Sequence, residues 1–256
     1  MIYKKRIILF LLLACFKVSA SMRVPLILND IDWPPFFLNN EEESLKGVAK
    51  DILEKCVDNK VYQQKFIKLP VKRTHVYMQS GEIDISIYSY NKFRKNFVIY
   101  SKEPMFTSDY GFVVSAESSI EINELNDLSP YVIGHLSGLS HTPEIMQIIK
   151  DKRLKKQVFD GYNVDAMFKQ LLAEKPRFDI MINSKETFYW RANVLNIKSK
   201  VRVLDYNIKV KNYFLTVSKA SKNIENKEQF LNNFDACLVK IKEQGQYKEI
   251  LAKYGL

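Results

Sequence analysis

Apolar and polar positions along this chain follow two rhythms, and the rhythm switches roughly every ten residues. Val24-Pro25-Leu26-Ile27-Leu28 is a short apolar run that reads as a buried strand. From Gly47 to Cys56 the apolar residues fall at helical spacing. From Gln64 to Leu69 polar and apolar residues alternate, the period of a strand with one covered face. Arg73 to Gln79 reads as a helix stopped by Gly81, and Ile83 to Tyr88 as a strand. Val98 to Tyr100 and Tyr110 to Val114 follow as two short strands. The pattern then begins again. A strand at Tyr131 to Ile133 precedes a helix from Pro143 to Lys150, a strand near Val158 and a helix from Val164 to Leu172. Phe178 to Ile182 is a further strand and Glu186 to Asn193 a helix. Val201 to Leu204 and Tyr213 to Val217 return to strand character, and two helices, Lys227 to Gln244 and Tyr247 to Tyr254, close the chain around Gly245. Such alternation predicts an α/β layout with mostly parallel sheets, arranged as two lobes with the chain end packed back on the first.

The first twenty residues break this pattern and set the compartment. Lys4, Lys5 and Arg6 precede the apolar stretch Ile7 to Ala14, and Val18-Ser19-Ala20 supplies small residues where a signal peptidase cuts. The apolar run is shorter than the roughly 20 residues a membrane span needs. Residues 1–20 therefore read as a secretory signal peptide with cleavage after Ala20. The alternative is lipoprotein processing at Leu12-Leu13-Ala14-Cys15, which leaves a lipidated Cys15.

Composition changes the picture in three places. Removal of residues 1–20, with their four basic residues and no acid, lowers the formal charge from +10 to +6. A mildly basic chain with mixed charges marks a solvated surface, and the run Lys150 to Lys156 reads as an exposed helix end, so no nucleic-acid partner is expected. Export leaves Cys56 and Cys237, for which the oxidising compartment permits a disulfide, although two buried free thiols are the favoured reading. His75, His135 and His141 lack ligand spacing, so neither a metal nor a cofactor is expected. Gly134-His135-Leu136-Ser137-Gly138 is no hydrolase elbow, because its serine falls one position late.

The most informative segment is Asp32-Trp33-Pro34-Pro35-Phe36-Phe37. Two prolines stop any helix and hold the backbone extended just after a strand, where open α/β sheets place ligands. Each of the three aromatic residues is either core or binding wall. All three together after a strand point to a wall for at least one, with Trp33 and Phe36 as candidates.

Several segments, in order and spacing, resemble one family. They are Trp33 to Phe36, Gly47 to Asp51, Leu69-Pro70-Val71-Lys72-Arg73, Gly81-Glu82-Ile83-Asp84, Arg94 to Ser101, Ile133 to Gly138, and the ending Lys242 to Gly255. Together they resemble the bacterial family-3 extracellular binding proteins, the solute-binding components of polar amino acid uptake systems. The resemblance implies a type II periplasmic binding protein fold, two α/β lobes joined by two crossover strands that act as a hinge. It places lobe one at residues 23–110 and 206–256, and lobe two at 111–205. It implies a periplasmic monomer that closes on a small polar, carboxylate-bearing ligand. An inner-membrane ABC permease or a sensor protein would be its partner.

By the same resemblance Arg94 grips a ligand carboxylate, chemistry that suits a guanidinium because its paired N–H groups match two oxygens and stay charged in a cleft. The interval from Asp84 to Arg94 is two residues shorter than the family's usual one, which displaces Ser89, the counterpart of its ligand hydroxyl. Tyr88 and Tyr90 are expected to fill that rim. In the second lobe Gly138, Leu139 and Ser140 stand where the family presents backbone N–H groups to an anion, and Ser140 either joins them or caps the next helix. Arg73 points into the cleft or outward beside Lys72. The main departure is Asn183, a neutral amide where the family places a carboxylate for the ligand's ammonium. Asp160 or Asp165 would have to compensate. No catalytic residue is expected. The alternative is an enzyme on this scaffold, a lyase resembling cyclohexadienyl dehydratase, for which Glu186 or Asp160 would supply the acid.

Overall fold

The computed structural model describes residues 22–31, 33–38 and 45–256. The expected signal peptide and Cys15 lie outside the described residues.

The chain alternates strands and helices: β1 (Val24–Asp30), α1 (Val48–Cys56), β2 (Tyr62–Lys68), α2 (Val71–Ser80), β3 (Ile85–Ser89), β4 (Val98–Ser115), β5 (Ile133–Leu136), α3 (Pro143–Leu154), β6 (Val158–Gly161), α4 (Val164–Leu171), β7 (Ile180–Ser184), α5 (Lys185–Val194), β8 (Val201–Val203), β9 (Lys209–Ser218), α6 (Lys227–Glu243) and α7 (Gln246–Lys253). The strands run in the order β2-β1-β3-β9-β4-β7-β5-β6, with β8 also on β4. Two βαβ-like halves are thus joined through the neighbouring strands β4 and β9, giving a two-lobed α/β fold of the periplasmic binding protein type.

Two expectations are corrected. The separate strands at Val98 to Tyr100 and Tyr110 to Val114 are one continuous strand, β4, that crosses from lobe to lobe. The sheet is also mixed rather than mostly parallel. β1 with β2, β1 with β3, β5 with β6 and β5 with β7 are parallel, but every pairing made by β4 or β9 is antiparallel. Crossover strands lie beside each other and run in opposite directions, because one leaves the first lobe and the other returns.

Strand periodicity fixes the cores. Phe112 and Val114 enter one cluster of the second lobe with Ile133, Ile149 and Ile182, while Val113 faces a second cluster with Phe168, Phe178 and Phe188. The sheet of that lobe is therefore covered on both faces. In the first lobe Leu26, Leu28, Ile85 and Leu215 meet Ile52 and Leu53 of α1 and Phe234 and Leu238 of α6. The C-terminal helices thus complete the first lobe. Each large side chain buried in this way contributes about 1.5–3 kcal/mol.

Buried carboxylates tie the strands to their surroundings. Asp84 accepts Ile27 N–H at 2.8 Å, Ser221 Oγ at 2.6 Å and Asn223 Nδ2 at 3.0 Å. Asp235 on α6 takes the backbone N–H groups of Lys102 and Glu103, where the β4–β9 register shifts. Gly47 opens α1 at φ 106°, and a Cβ there would meet Phe36 O at 2.5 Å, so the turn after the proline loop needs glycine. The Lys150 to Lys156 run is not wholly exposed. Lys152 is buried, with Nζ on Ser129 O at 2.8 Å and Tyr131 O at 2.6 Å, because the helix end folds over the carbonyls leading into β5.

Cys56 and Cys237 are joined in a disulfide, with Cα atoms 5.4 Å apart. This corrects the favoured reading of two free thiols, since the packing of α1 on α6 brings together residues 181 positions apart. Iodoacetamide on the unreduced protein is expected to leave both thiols unmodified. Reduction should expose both and lower stability by about 2–5 kcal/mol, read as a fall in Tm. Modification of both without reductant would contradict the bond.

Candidate functional site

A cavity of about 380 Å³ lies between the lobes, and its walls come from the carboxyl ends of parallel strands in both. This is where open α/β sheets hold ligands. The first lobe supplies Asn29, Ile31 and Trp33 at and beyond the end of β1, the first turn of α2 with the Leu69 to Val71 approach, and Ser86 to Ser89 of β3. The second lobe supplies Leu136 to Ser140 after β5, Tyr162 and Val164 after β6, and Asn183 and Thr187 around the start of α5. Tyr110 and Tyr213 on the crossover strands line it as well.

Among the residues singled out from sequence, Trp33, Tyr88, Ser89, Arg94, Gly138, Leu139, Ser140 and Asn183 line this one cavity. Phe36, Arg73 and Tyr90 stand outside its lining. Phe36 is core and stacks on Phe106 at 4.1 Å, because the tight proline turn sends Trp33 toward the cleft and Phe36 away from it. Arg73 is exposed on α2, one residue short of the face that brings Thr74 and His75 inward. Tyr90 is 58% exposed, with Lys95 Nζ 5.6 Å from its ring centre.

Arg94 sits in a short 3-10 turn, Lys92–Asn96, that follows β3. Its Nη1 donates to Ser89 O at 3.0 Å, and its guanidinium carbon lies 4.5 Å from the centre of the Tyr88 ring. These contacts orient the remaining N–H groups before any ligand arrives. His75 Nδ1 is 2.8 Å from Tyr88 Oη. Burial, and then Arg94, lower the His75 imidazole to about 4. Burial raises the Tyr88 phenol, against the pull of Arg94. Tyr110 and Tyr213 share a hydrogen bond of 2.8 Å, and burial pushes Tyr213 up to about 12. All of these groups except Arg94 are neutral at pH 7.

In the second lobe Asn183 Oδ1 accepts the N–H of Ser184 at 2.7 Å. A backbone N–H can only donate, so this bond fixes the amide orientation and leaves Asn183 Nδ2 as the free polar end. Gly138 takes φ +92° and packs against the start of α2, 3.6 Å from Val71 Cβ for a Cβ at that position. Ser140 does not cap the next helix. Thr142 is the N-cap of α3, because Pro143 fixes the first helical position one residue beyond it. Ser140 O instead accepts Lys211 Nζ at 2.8 Å.

Lys211, which stands outside the cavity lining against Ser140 and Tyr110, is a neighbour the sequence did not reveal. It projects from β9, lies 4.9 Å from the Tyr110 ring centre, and feels Arg94. Burial first, and then Arg94 and Lys209, lower its ammonium to about 8. His75, Tyr110, Tyr213 and Thr187 were missed too. Thr187 Oγ1 donates to Pro34 O at 2.7 Å, and Ser184 Oγ lies 3.4 Å from Trp33 Nε1, so the start of α5 is bonded to the proline loop of the other lobe. None of these carried an advance signal in the sequence.

Acids are scarce here. Among the described residues, no Asp or Glu lines the cavity. Asp160 is held by Arg153 at 2.7 Å and His135 at 3.0 Å, and Asp165 pairs with Arg191 at 3.2 Å. Glu186 accepts Ser108 Oγ at 2.7 Å and Asp109 N–H at 2.9 Å, which spends its carboxylate on the crossover strand. Burial raises its pKa. The described residues hold no cluster of three or more His, Cys, Asp or Glu suited to a metal, and none of their helices is long and apolar enough to cross a membrane.

The family model of the bacterial extracellular solute-binding proteins, family 3, matches residues 26–256. No curated protein matches the chain. Among solved structures, an ancestral arginine-binding protein bound to arginine superposes with a TM-score of 0.75 at 21% identity, over 92% of this chain and 100% of that one. A histidine kinase sensor domain with similarity to periplasmic binding proteins gives 0.72 at 14% identity, over 92% and 97%. An ancestral amino acid-binding protein, a precursor of cyclohexadienyl dehydratase, gives 0.71 at 19%, over 90% and 95%. At these identities the structures establish the fold.

Two outcomes are expected from this geometry. Thr187→Val removes the donor to a buried carbonyl and should destabilise by about 1–3 kcal/mol in denaturant unfolding with unchanged slope. His75 should titrate near pH 4 by NMR. Its folded pKa lies below the unfolded 6.5, so the stability it confers is complete above pH 6.5 and is lost as pH falls through that value toward 4. A midpoint near 6.5 would mean that the ring is solvated.

Proposed function

The chain belongs to the bacterial extracellular solute-binding proteins of family 3, and on that premise we propose that it captures a small carboxylate-bearing solute between its lobes. Family and fold are those of non-catalytic binding proteins, which sets aside the lyase alternative. The observation that carries the reading is Arg94, a guanidinium held by Ser89 O and the Tyr88 ring at the wall of a closed-in cavity with no described acid beside it. A carboxylate there makes charge-assisted bonds to Arg94, and the Gly138 to Ser140 loop and Asn183 reach it from the opposite lobe. Trp33, Tyr88, Ser89 and Leu139 would form the walls around it.

Binding is then a closure step. Trp33 with Ser184, Pro34 with Thr187 and Ser140 with Lys211 already link the lobes around the cavity. A ligand that touches both lobes favours this closed arrangement over a separated one by the difference of its contacts in the two. The working compartment is the periplasm, and the closed form is handed to a membrane partner, a permease or a sensor. The protein acts as a monomer.

Thermal-shift measurements on residues 21–256 against amino acids and small carboxylates test the proposal. A solute at 100 times its Kd should stabilise by about 2.7 kcal/mol. Arg94→Ala should abolish the shift. A solute bound equally well by Arg94→Ala would remove Arg94 from the site. Affinity for an anion should also fall as pH rises through about 8, because the bound charge favours the Lys211 ammonium and its loss removes that attraction. Titration calorimetry at pH 6.5 and 9 reads the difference.

A further inference from the structure

The described residues of the cavity offer donors and apolar surface and no carboxylate for a cation. We infer that the solute is a carboxylic acid with an apolar or aromatic body and no ammonium group. The inference rests on the carboxylate reading above and specifies what the rest of the ligand is.

Three independent observations carry it. The first is the fixed orientation of Asn183. Its oxygen accepts Ser184 N–H, which sets the amide so that the end without a bond to the protein is an NH₂ donor. A donor suits a carboxylate or carbonyl oxygen and repels an ammonium. The second is that the carbonyls of three lining residues already hold donors of the protein. Ser89 O already receives Arg94 at 3.0 Å and Tyr100 Oη at 3.3 Å. Ser140 O receives Lys211 at 2.8 Å, and Leu139 O lies 3.3 Å from His135 Nε2. The one imidazole of the lining is held neutral, first by burial and then by Arg94. The third is the wall. Trp33, Leu69, Val71, Ile87, Leu136 and Val164 line the same 380 Å³ space, enough for a phenyl or branched alkyl group.

Matched pairs that differ only by the α-amine test this directly. Calorimetry on the mature protein would compare 3-phenylpropanoate with L-phenylalanine, and 4-methylpentanoate with L-leucine. Succinate, L-glutamate and L-arginine serve as polar controls. The expected result is at least tenfold tighter binding of one or both deamino acids than of their amino acid partners, with the polar set weaker still. An amino acid that binds more tightly than its deamino counterpart overturns the inference and leaves the carboxylate reading standing, provided Arg94→Ala abolishes it. Preference for succinate overturns the apolar body. Absence of binding by every carboxylate overturns both readings together.

Two variants sharpen the outcome. Asn183→Asp keeps an acceptor for Ser184 N–H, so the local fold is retained while the donor becomes a negative charge. It should weaken the preferred deamino acid tenfold or more and narrow its advantage over the amino acid. An unchanged affinity would remove Asn183 from ligand recognition and overturn the first support. Asp32 falls in sequence between the lining residues Ile31 and Trp33 and outside the described residues. Amino acid binding that disappears in Asp32→Asn would assign the ammonium a partner there and overturn the inference.

Discussion

Two antiparallel strands side by side, β4 and β9, connect the lobes, and the placement of every cleft residue depends on them. Their pairing runs from Val98 with Ser218 to Tyr110 with Lys209, so the connection is a hydrogen-bonded ribbon rather than a pair of loose linkers. Such a ribbon resists stretching and shear but bends and twists. It holds the Arg94 side and the Asn183 side at a set distance while allowing them to swing. Carboxylates anchor the ribbon on both sides, buried Asp235 from α6 where the register shifts and half-buried Glu186 from α5 at Ser108 and Asp109. Tyr110 and Tyr213, bonded to each other, form the part of the cavity wall that belongs to the ribbon itself.

Much of this architecture is legible in the chain because most elements bury a face locally. The helices α1, α4 and α6 stand close to where periodicity puts them, since each has a stripe of buried apolar residues. The crossover was read as two strands for a definite reason. Ser101, Lys102, Glu103 and Pro104 carry no strand rhythm, and the Lys102 and Glu103 amides bond to Asp235 instead of a neighbouring strand. Nothing in that tetrapeptide announces a partner more than 130 positions away. The disulfide stayed the less favoured of two readings for the same reason, as sequence holds no record of which helices lie together.

The site was legible where a loop follows a strand and illegible where a strand wall doubles as a cavity wall. Arg94, Asn183 and the Gly138 loop could be named because they stand in segments that resemble the family's motifs, and these segments fall after strands. Tyr110 and Tyr213 look like ordinary core in alternating strands, and become lining only because β4 and β9 meet across 103 positions. Side-chain direction set the other differences. One residue of helix rotation separates exposed Arg73 from the inward Thr74 and His75, and one tight turn separates Trp33 in the cleft from Phe36 in the core. Lys211 stood out in no pattern, since a lysine in a crossover strand acquires its role only from Ser140 and Tyr110 of other elements.

The bond between Cys56 and Cys237 has a topological consequence. It closes a covalent ring around everything from α1 to α6, so the whole second lobe is an excursion within a loop fastened at both ends in the first. A protease that cuts once anywhere inside that ring linearises it without releasing a fragment, and both pieces stay attached to the same helix pair. In a compartment where exposed loops meet proteases, a nicked chain remains one molecule with its two lobes still paired through β4 and β9.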